Sequence, residues 1–174
     1  MFDVILTDPP WFYYGDQTKM GAAGKEYSLM SDEDLLQFRY PLNNPGVLFM
    51  WATGPRLDFA IKCMEAQNLF YRGVAFVWIK TTKDGKPIGA QGVRPSIVKP
   101  ITEFVLVAST KKFGRPLPIQ SEGVVQTIFA PKQKHSQKPE EVQNRIEHLY
   151  PTQSKAEFFA RRHRAGWTCF GDEI

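Results

Sequence analysis

The chain has 174 residues, 43% of them hydrophobic, and this length and apolar content predict one domain, residues 1–174, with a sizeable core. Its formal net charge of +4 and pI near 9.1 are modestly basic and compatible with a polyanionic partner. Cys63 and Cys169 lie alone in apolar patterns without metal-ligand spacing, which argues against a disulfide framework or a metal site. With no apolar run of about 18 residues, signal peptide or lipidation box, the expected location is the cytoplasm of a prokaryotic cell or phage-infected host, away from membrane.

Residues 2–6 read as a buried strand, and Asp8-Pro9-Pro10-Trp11 comes directly after it. Pro9 pushes Asp8 toward extended backbone, and the two prolines remove two successive donors while leaving carbonyl acceptors. A carboxylate, a carbonyl and an indole face suit a flat heterocycle with an exocyclic amine, such as adenine. An ordinary strand-ending turn with a core tryptophan is the competing reading. Residues 12–26 fit no regular element and emerge at this turn.

Further along, Ser31 followed by Asp32, Glu33 and Asp34 predicts a capped short helix through Leu35 and Leu36. A strand over residues 47–51 precedes a helix carrying Leu57, Ala60, Ile61 and Met64 on one face, with Asn68 as its C-terminal cap. Strands over 74–79, 104–108 and 124–129 are separated by irregular segments at 81–102 and 111–122. Pro139, Glu140 and Glu141, then Val142, Ile146 and Leu149, mark a third helix ended by Pro151. Lys138, at its amino end, is placed to meet a carboxylate or phosphate. Strands over 156–159 and 167–170 enclose the basic loop Arg161-Arg162-His163-Arg164 and are expected to bracket a pocket, with Asp172 or Glu173 at the end to accept hydrogen bonds from a ribose. A solvated basic turn is the alternative for that loop. The alternation of elements predicts an α/β fold, with a mostly parallel twisted sheet flanked by helices and ligands held beyond the strands' carboxyl ends.

Asp8-Pro9-Pro10-Trp11, Tyr27-x-x-Met30-Ser31-Asp32, Trp51-x-Thr53-Gly54, Trp78-x-Lys80-Thr81 followed by Glu103, Ser136-x-Lys138-Pro139 and Arg161-x-His163 … Trp167-x-x-x-Gly171-x-Glu173 occur in this order. As a set they resemble the N6-adenine methyltransferase family that includes the catalytic subunit of the eukaryotic messenger-RNA adenosine methyltransferase. The resemblance runs over nearly the whole chain and implies a Rossmann-like methyltransferase fold. It also implies S-adenosylmethionine as methyl donor, with Asp8-Pro9-Pro10-Trp11 as the catalytic turn. Asp8 would contact both the methionine amine and the target adenine, Lys138 the methionine carboxylate, and Arg161, His163, Asp172 and Glu173 the ribose and adenine. Two positions depart from the family pattern: Asp172 stands in the place of an Asn, and Arg164 stands where the eukaryotic enzyme has Asn.

On this reading Trp11, with Tyr13 or Tyr27, holds an extruded base. Lys80 and Arg94, among the loop cations Lys19, Lys25, Lys83 and Lys86, meet the nucleic acid backbone. The small size, without an appended zinc finger or RNA module, places DNA ahead of RNA as the expected substrate. RNA adenosine methylation and a non-catalytic nucleic-acid-binding partner subunit are the alternatives. A homodimer, or a heterodimer with a related subunit, is expected to form through residues 81–102.

Overall fold

The structure, a computed structural model, describes residues 1–11, 29–88, 97–133, 137–172 and 174. Its centre is a seven-stranded sheet in the order β5-β3-β4-β2-β1-β6-β7. The strands are β1 (Phe2–Thr7), β2 (Leu42–Ala52), β3 (Phe70–Thr81), β4 (Thr102–Ser109), β5 (Thr127–Pro131), β6 (Lys155–Phe158) and β7 (Thr168–Phe170). β4 runs antiparallel to both neighbours, and the other pairings are parallel. This is the mixed α/β architecture of a Rossmann-like methyltransferase.

Among the described residues three α-helices cover the sheet: α1 (Asp32–Gln37), α2 (Leu57–Ala66) and α3 (Glu141–Leu149). Ser31 caps α1, its hydroxyl accepting the Asp34 N–H at 3.1 Å. Asn68, beyond the end of α2, has φ 59°, the left-handed conformation expected of a C-terminal cap. α3 begins at Glu141, so Pro139 and Lys138 lie outside the helix. The strands also shift from their sequence expectation: β3 starts earlier, at Phe70, and β5 starts later, at Thr127. β6 and β7 pair directly instead of flanking a pocket.

Side-chain alternation along β1 sorts the core into two layers. Val4 and Leu6 join Phe49, Trp51, Trp78, Val142 and Ile146 on the α3 side. Ile5 joins Leu35, Met50, Phe59, Ala60 and Met64 on the α1–α2 side. All three β1 residues are fully buried, which fixes the phase of the strand and hence the side of the sheet that Asp8 faces.

Among the described residues no helix is long and apolar enough to cross a membrane, and no group of His, Cys, Asp or Glu could hold a metal ion.

Candidate active site

β1 delivers Asp8 to the rim formed by the carboxyl ends of the parallel strands. The β1–β6 ladder continues one residue beyond the strand, the Asp8 N–H donating to the Phe158 carbonyl at 3.3 Å. The pleat that sends Val4 and Leu6 toward α3 sends Asp8 the same way. There its carboxylate meets the Lys138 ammonium at 3.1 Å, and that ammonium lies 3.2 Å from Glu103 and 5.4 Å from the centre of the Trp51 ring.

Glu103 reaches this rim because β4 is antiparallel. Its amino end lies beside the carboxyl end of β3, with Glu103 opposite Trp78. Lys80 then pairs with Glu103 at 2.5 Å and lies 5.2 Å from the Trp78 ring centre. Asp8, Lys138, Glu103 and Lys80 therefore alternate in sign, each side chain one-fifth exposed or less. Burial raises the Asp8 carboxyl above its ordinary value, opposed by Lys138 and reinforced by the Glu103 charge. Glu103 is held below its ordinary value because Lys138 and Lys80 together outweigh its burial. Lys80 therefore faces Glu103 where the nucleic acid backbone is its expected partner, and Glu103 joins the site with one sequence signal, a carboxylate opening an apolar strand.

The Pro-Pro turn leaves acceptors, as its composition predicts. The Trp11 N–H donates to the Pro9 carbonyl at 2.9 Å and the Met30 N–H to the Pro10 carbonyl at 3.3 Å, so each oxygen keeps a second lone pair. Trp11 itself turns to the opposite side of the sheet from Asp8. It is 4% exposed, edge-on to Phe59 at 6.0 Å, with the Arg56 guanidinium 5.5 Å from its ring centre. Arg56 is buried, forks onto Asp32 at 2.5 and 3.2 Å and lies 4.3 Å from the Phe59 ring centre. Trp11 is thus a wall of the turn, where an open stacking face had been expected.

β6 and the start of the basic loop after it also meet this rim. The Glu157 carboxylate on β6 accepts from Gln143 at 3.2 and 3.3 Å, and burial raises it, with Asp8 adding to the rise. It too went unassigned from sequence, although a carboxylate inside an apolar run is a signal. Arg161 is near enough to lower Asp8, whereas His163 and Asp172 are exposed. Arg164 does not reach toward this rim; it pairs with Glu147 on α3. Gly171 packs against the Ala160 backbone so closely that a Cβ there would run into the Ala160 carbonyl oxygen and lie 2.8 Å from its nitrogen. Tyr13, Tyr27, Arg94 and Glu173 lie outside the described residues.

Residues 2–173 match the MT-A70 family model. The chain belongs to the MT-A70 family. It is a methyltransferase. This MT-A70 chain is 32% identical over 193 residues to the Type II methyltransferase M.MunI of a Mycoplasma species, covering 99% of itself and 78% of that protein. It is 28% identical to a probable N(6)-adenosine-methyltransferase MT-A70-like protein of Oryza sativa subsp. japonica, of which it spans 23%. To the human N(6)-adenosine-methyltransferase catalytic subunit METTL3 it is 26% identical, spanning 28% of that protein.

The rim's donor set fits the methyl donor implied by the family. S-adenosylmethionine presents an ammonium, a carboxylate, ribose hydroxyls and an adenine. The rim offers carboxylates on Asp8 and Glu157 and cations on Lys138 and Arg161, on elements that converge at the strands' carboxyl ends.

Proposed function

We propose that this MT-A70 chain transfers the methyl group of S-adenosylmethionine to the exocyclic N6 nitrogen of adenine in nucleic acid, with DNA as the substrate. The observation that carries the reading is the Asp8 carboxylate, set at a strand end behind two prolines and paired with Lys138 at 3.1 Å. DNA is favoured because the chain is 32% identical to a Type II methyltransferase, against 28% and 26% to the rice and human N(6)-adenosine-methyltransferases.

The adenine amine is a weak nucleophile because its lone pair is delocalised into the ring. Asp8 and the Pro9 carbonyl each accept one of its N–H groups, which favours a localised lone pair and stabilises the positive charge that grows on nitrogen. S-adenosylmethionine supplies the methyl group on a sulfonium, already activated for transfer. One N6 proton leaves as the N–C bond forms, and Asp8, whose proton affinity burial raises, is placed to receive it. Lys138 holds Asp8 in its charged form and offers a cation to the methionine carboxylate. Glu157, Arg161, His163, Asp172 and Glu173 serve the ribose and adenine. Trp11 holds the turn in shape, Tyr13 and Tyr27 bound the base, Lys80 holds Glu103 in the rim, and Arg94 contributes positive charge toward the phosphates.

A pair of chains, identical or related, completes the enzyme in this reading, meeting through residues 81–102. Ile97 and Val98 in that segment are 90% and 75% exposed, the apolar surface such a contact would cover. Sedimentation equilibrium at micromolar concentration tests the pairing, and a fully active monomer rules it out.

The deciding experiment is mass spectrometry of matched DNA and RNA oligonucleotides incubated with enzyme and S-adenosylmethionine. N6-methyladenine in DNA is the expected product. Product in RNA alone would move the reading to RNA adenosine methylation. No product on either, with the cofactor bound, would favour a non-catalytic nucleic-acid-binding subunit.

A further inference from the structure

Arg164 interrupts the family pattern, and its partners lie on α3. Its Nε donates to Glu147 Oε1 at 2.6 Å, and one terminal nitrogen donates to Glu147 Oε2 at 3.0 Å and Asn144 Oδ1 at 2.6 Å. The indole N–H of Trp167, three residues on, donates to the same Glu147 Oε1 at 2.7 Å. A third tie joins Arg162 to Glu140. Glu140 at the N-cap, with Asn144 and Glu147, recurs at helical spacing, so one face of α3 and its cap hold Arg162, Arg164 and Trp167 of the connection from β6 to β7.

That connection needs holding. Residues 159–167 join two parallel strands with no helix between them, whereas such crossovers ordinarily take about a dozen residues or more. Phe159 adopts φ 58°, and the Ala160 N–H returns to the Phe170 carbonyl at 2.9 Å. Lys138, on the segment leading into α3, is paired with Asp8. One helix thus references both ends of the rim.

We infer that Glu147 is a positioning residue for the cofactor pocket: by gripping Arg164 and Trp167 it holds residues 161–172 in place before S-adenosylmethionine arrives, in fixed register with Lys138. The inference rests on the proposed reading of that segment as the ribose and adenine subsite. Glu147 touches neither cofactor nor substrate. Its contribution is pre-organisation, which removes an ordering cost from binding and leaves the chemical step alone.

The test compares E147A and E147Q with wild type in two measurements. The first is S-adenosylhomocysteine affinity by calorimetry together with kcat and KM for S-adenosylmethionine; the second is trypsin cleavage after Arg161, Arg162 and Arg164 in cofactor-free enzyme. E147A is expected to weaken S-adenosylhomocysteine binding and raise KM about tenfold, keep kcat within about twofold, and open the loop to trypsin. E147Q, which keeps an amide oxygen for Trp167, should fall between. If E147A does not fold, E147Q carries the same comparison. A folded variant with unchanged affinity and an uncut loop overturns the inference, as does a fall in kcat at unchanged KM. Wild type that fails to bind S-adenosylhomocysteine overturns the underlying reading of the subsite, whatever E147A does.

Discussion

The Lys138 ammonium is shared by two carboxylates, Asp8 at 3.1 Å and Glu103 at 3.2 Å. A buried pair of one cation and one anion leaves an uncompensated charge when either member is removed. Here the second carboxylate changes that outcome, because Glu103 also holds Lys80 at 2.5 Å. Asp8 can be replaced while Lys138 keeps a counter-charge.

Asp8→Ala should therefore remain folded, within about 1 kcal/mol of wild type, and lose methyl transfer by about a hundredfold or more. Circular dichroism and urea unfolding report the first, and mass spectrometry of the oligonucleotide product the second. Substantial residual turnover in a folded Asp8→Ala protein would sink the assignment of the catalytic turn.

Glu103→Gln should do the opposite at neutral pH. It removes the carboxylate that Lys80 pairs with while Lys138 keeps Asp8, and a broken buried pair costs about 3 to 5 kcal/mol. Urea unfolding should show most of that loss in Glu103→Gln and little in Asp8→Ala. Equal stability of the two variants would show that the carboxylates are interchangeable.

The acid limb of kcat/KM should lie above the ordinary aspartate value of 3.8, since burial raises Asp8 and transfer needs it ionised. Lys138→Met removes the cation that lowers Asp8 and should move the limb up. Glu103→Gln removes a like charge that raises Asp8 and should move it down. The apparent value belongs to the coupled cluster. For stability, Asp8 makes a folded state that binds the proton more tightly than the unfolded chain, so its contribution falls as pH rises from 3.8 through the raised value. Glu103 acts in reverse: its contribution is full above 4.5 and is lost as pH drops through its lowered value. Shifts of the two limbs in one direction would contradict the geometry.

Gly171→Ala should lower both stability and cofactor affinity, because the new Cβ meets the backbone of Ala160, which cannot rotate away. Overpacking of this kind costs about 1 to 3 kcal/mol. Thermal unfolding and calorimetry with S-adenosylhomocysteine measure the two effects. An unperturbed Gly171→Ala would mean that the β6 and β7 ends do not need this close approach.

Local chemistry in the sequence determined the strand-turn at Asp8, the Ser31 cap, the left-handed Asn68 and the helical faces of α2 and α3, because each depends on residues within a few positions of one another. Strand alternation also settled that Asp8 shares a face with Val4 and Leu6. The partners opposite that face depended on the tertiary structure. Glu103 reaches Lys138 because β4 runs antiparallel in an otherwise parallel sheet, and no local pattern records a strand's direction. Trp11 is buried because Phe59 on α2 and Arg56 just before that helix pack against it, and Arg164 finds Glu147 only when α3 packs along the β6–β7 connection. Hydrophobic periodicity fixes which way a side chain faces; the partner it meets is set by contacts between segments far apart in the chain, whose pairing is a property of the topology as a whole.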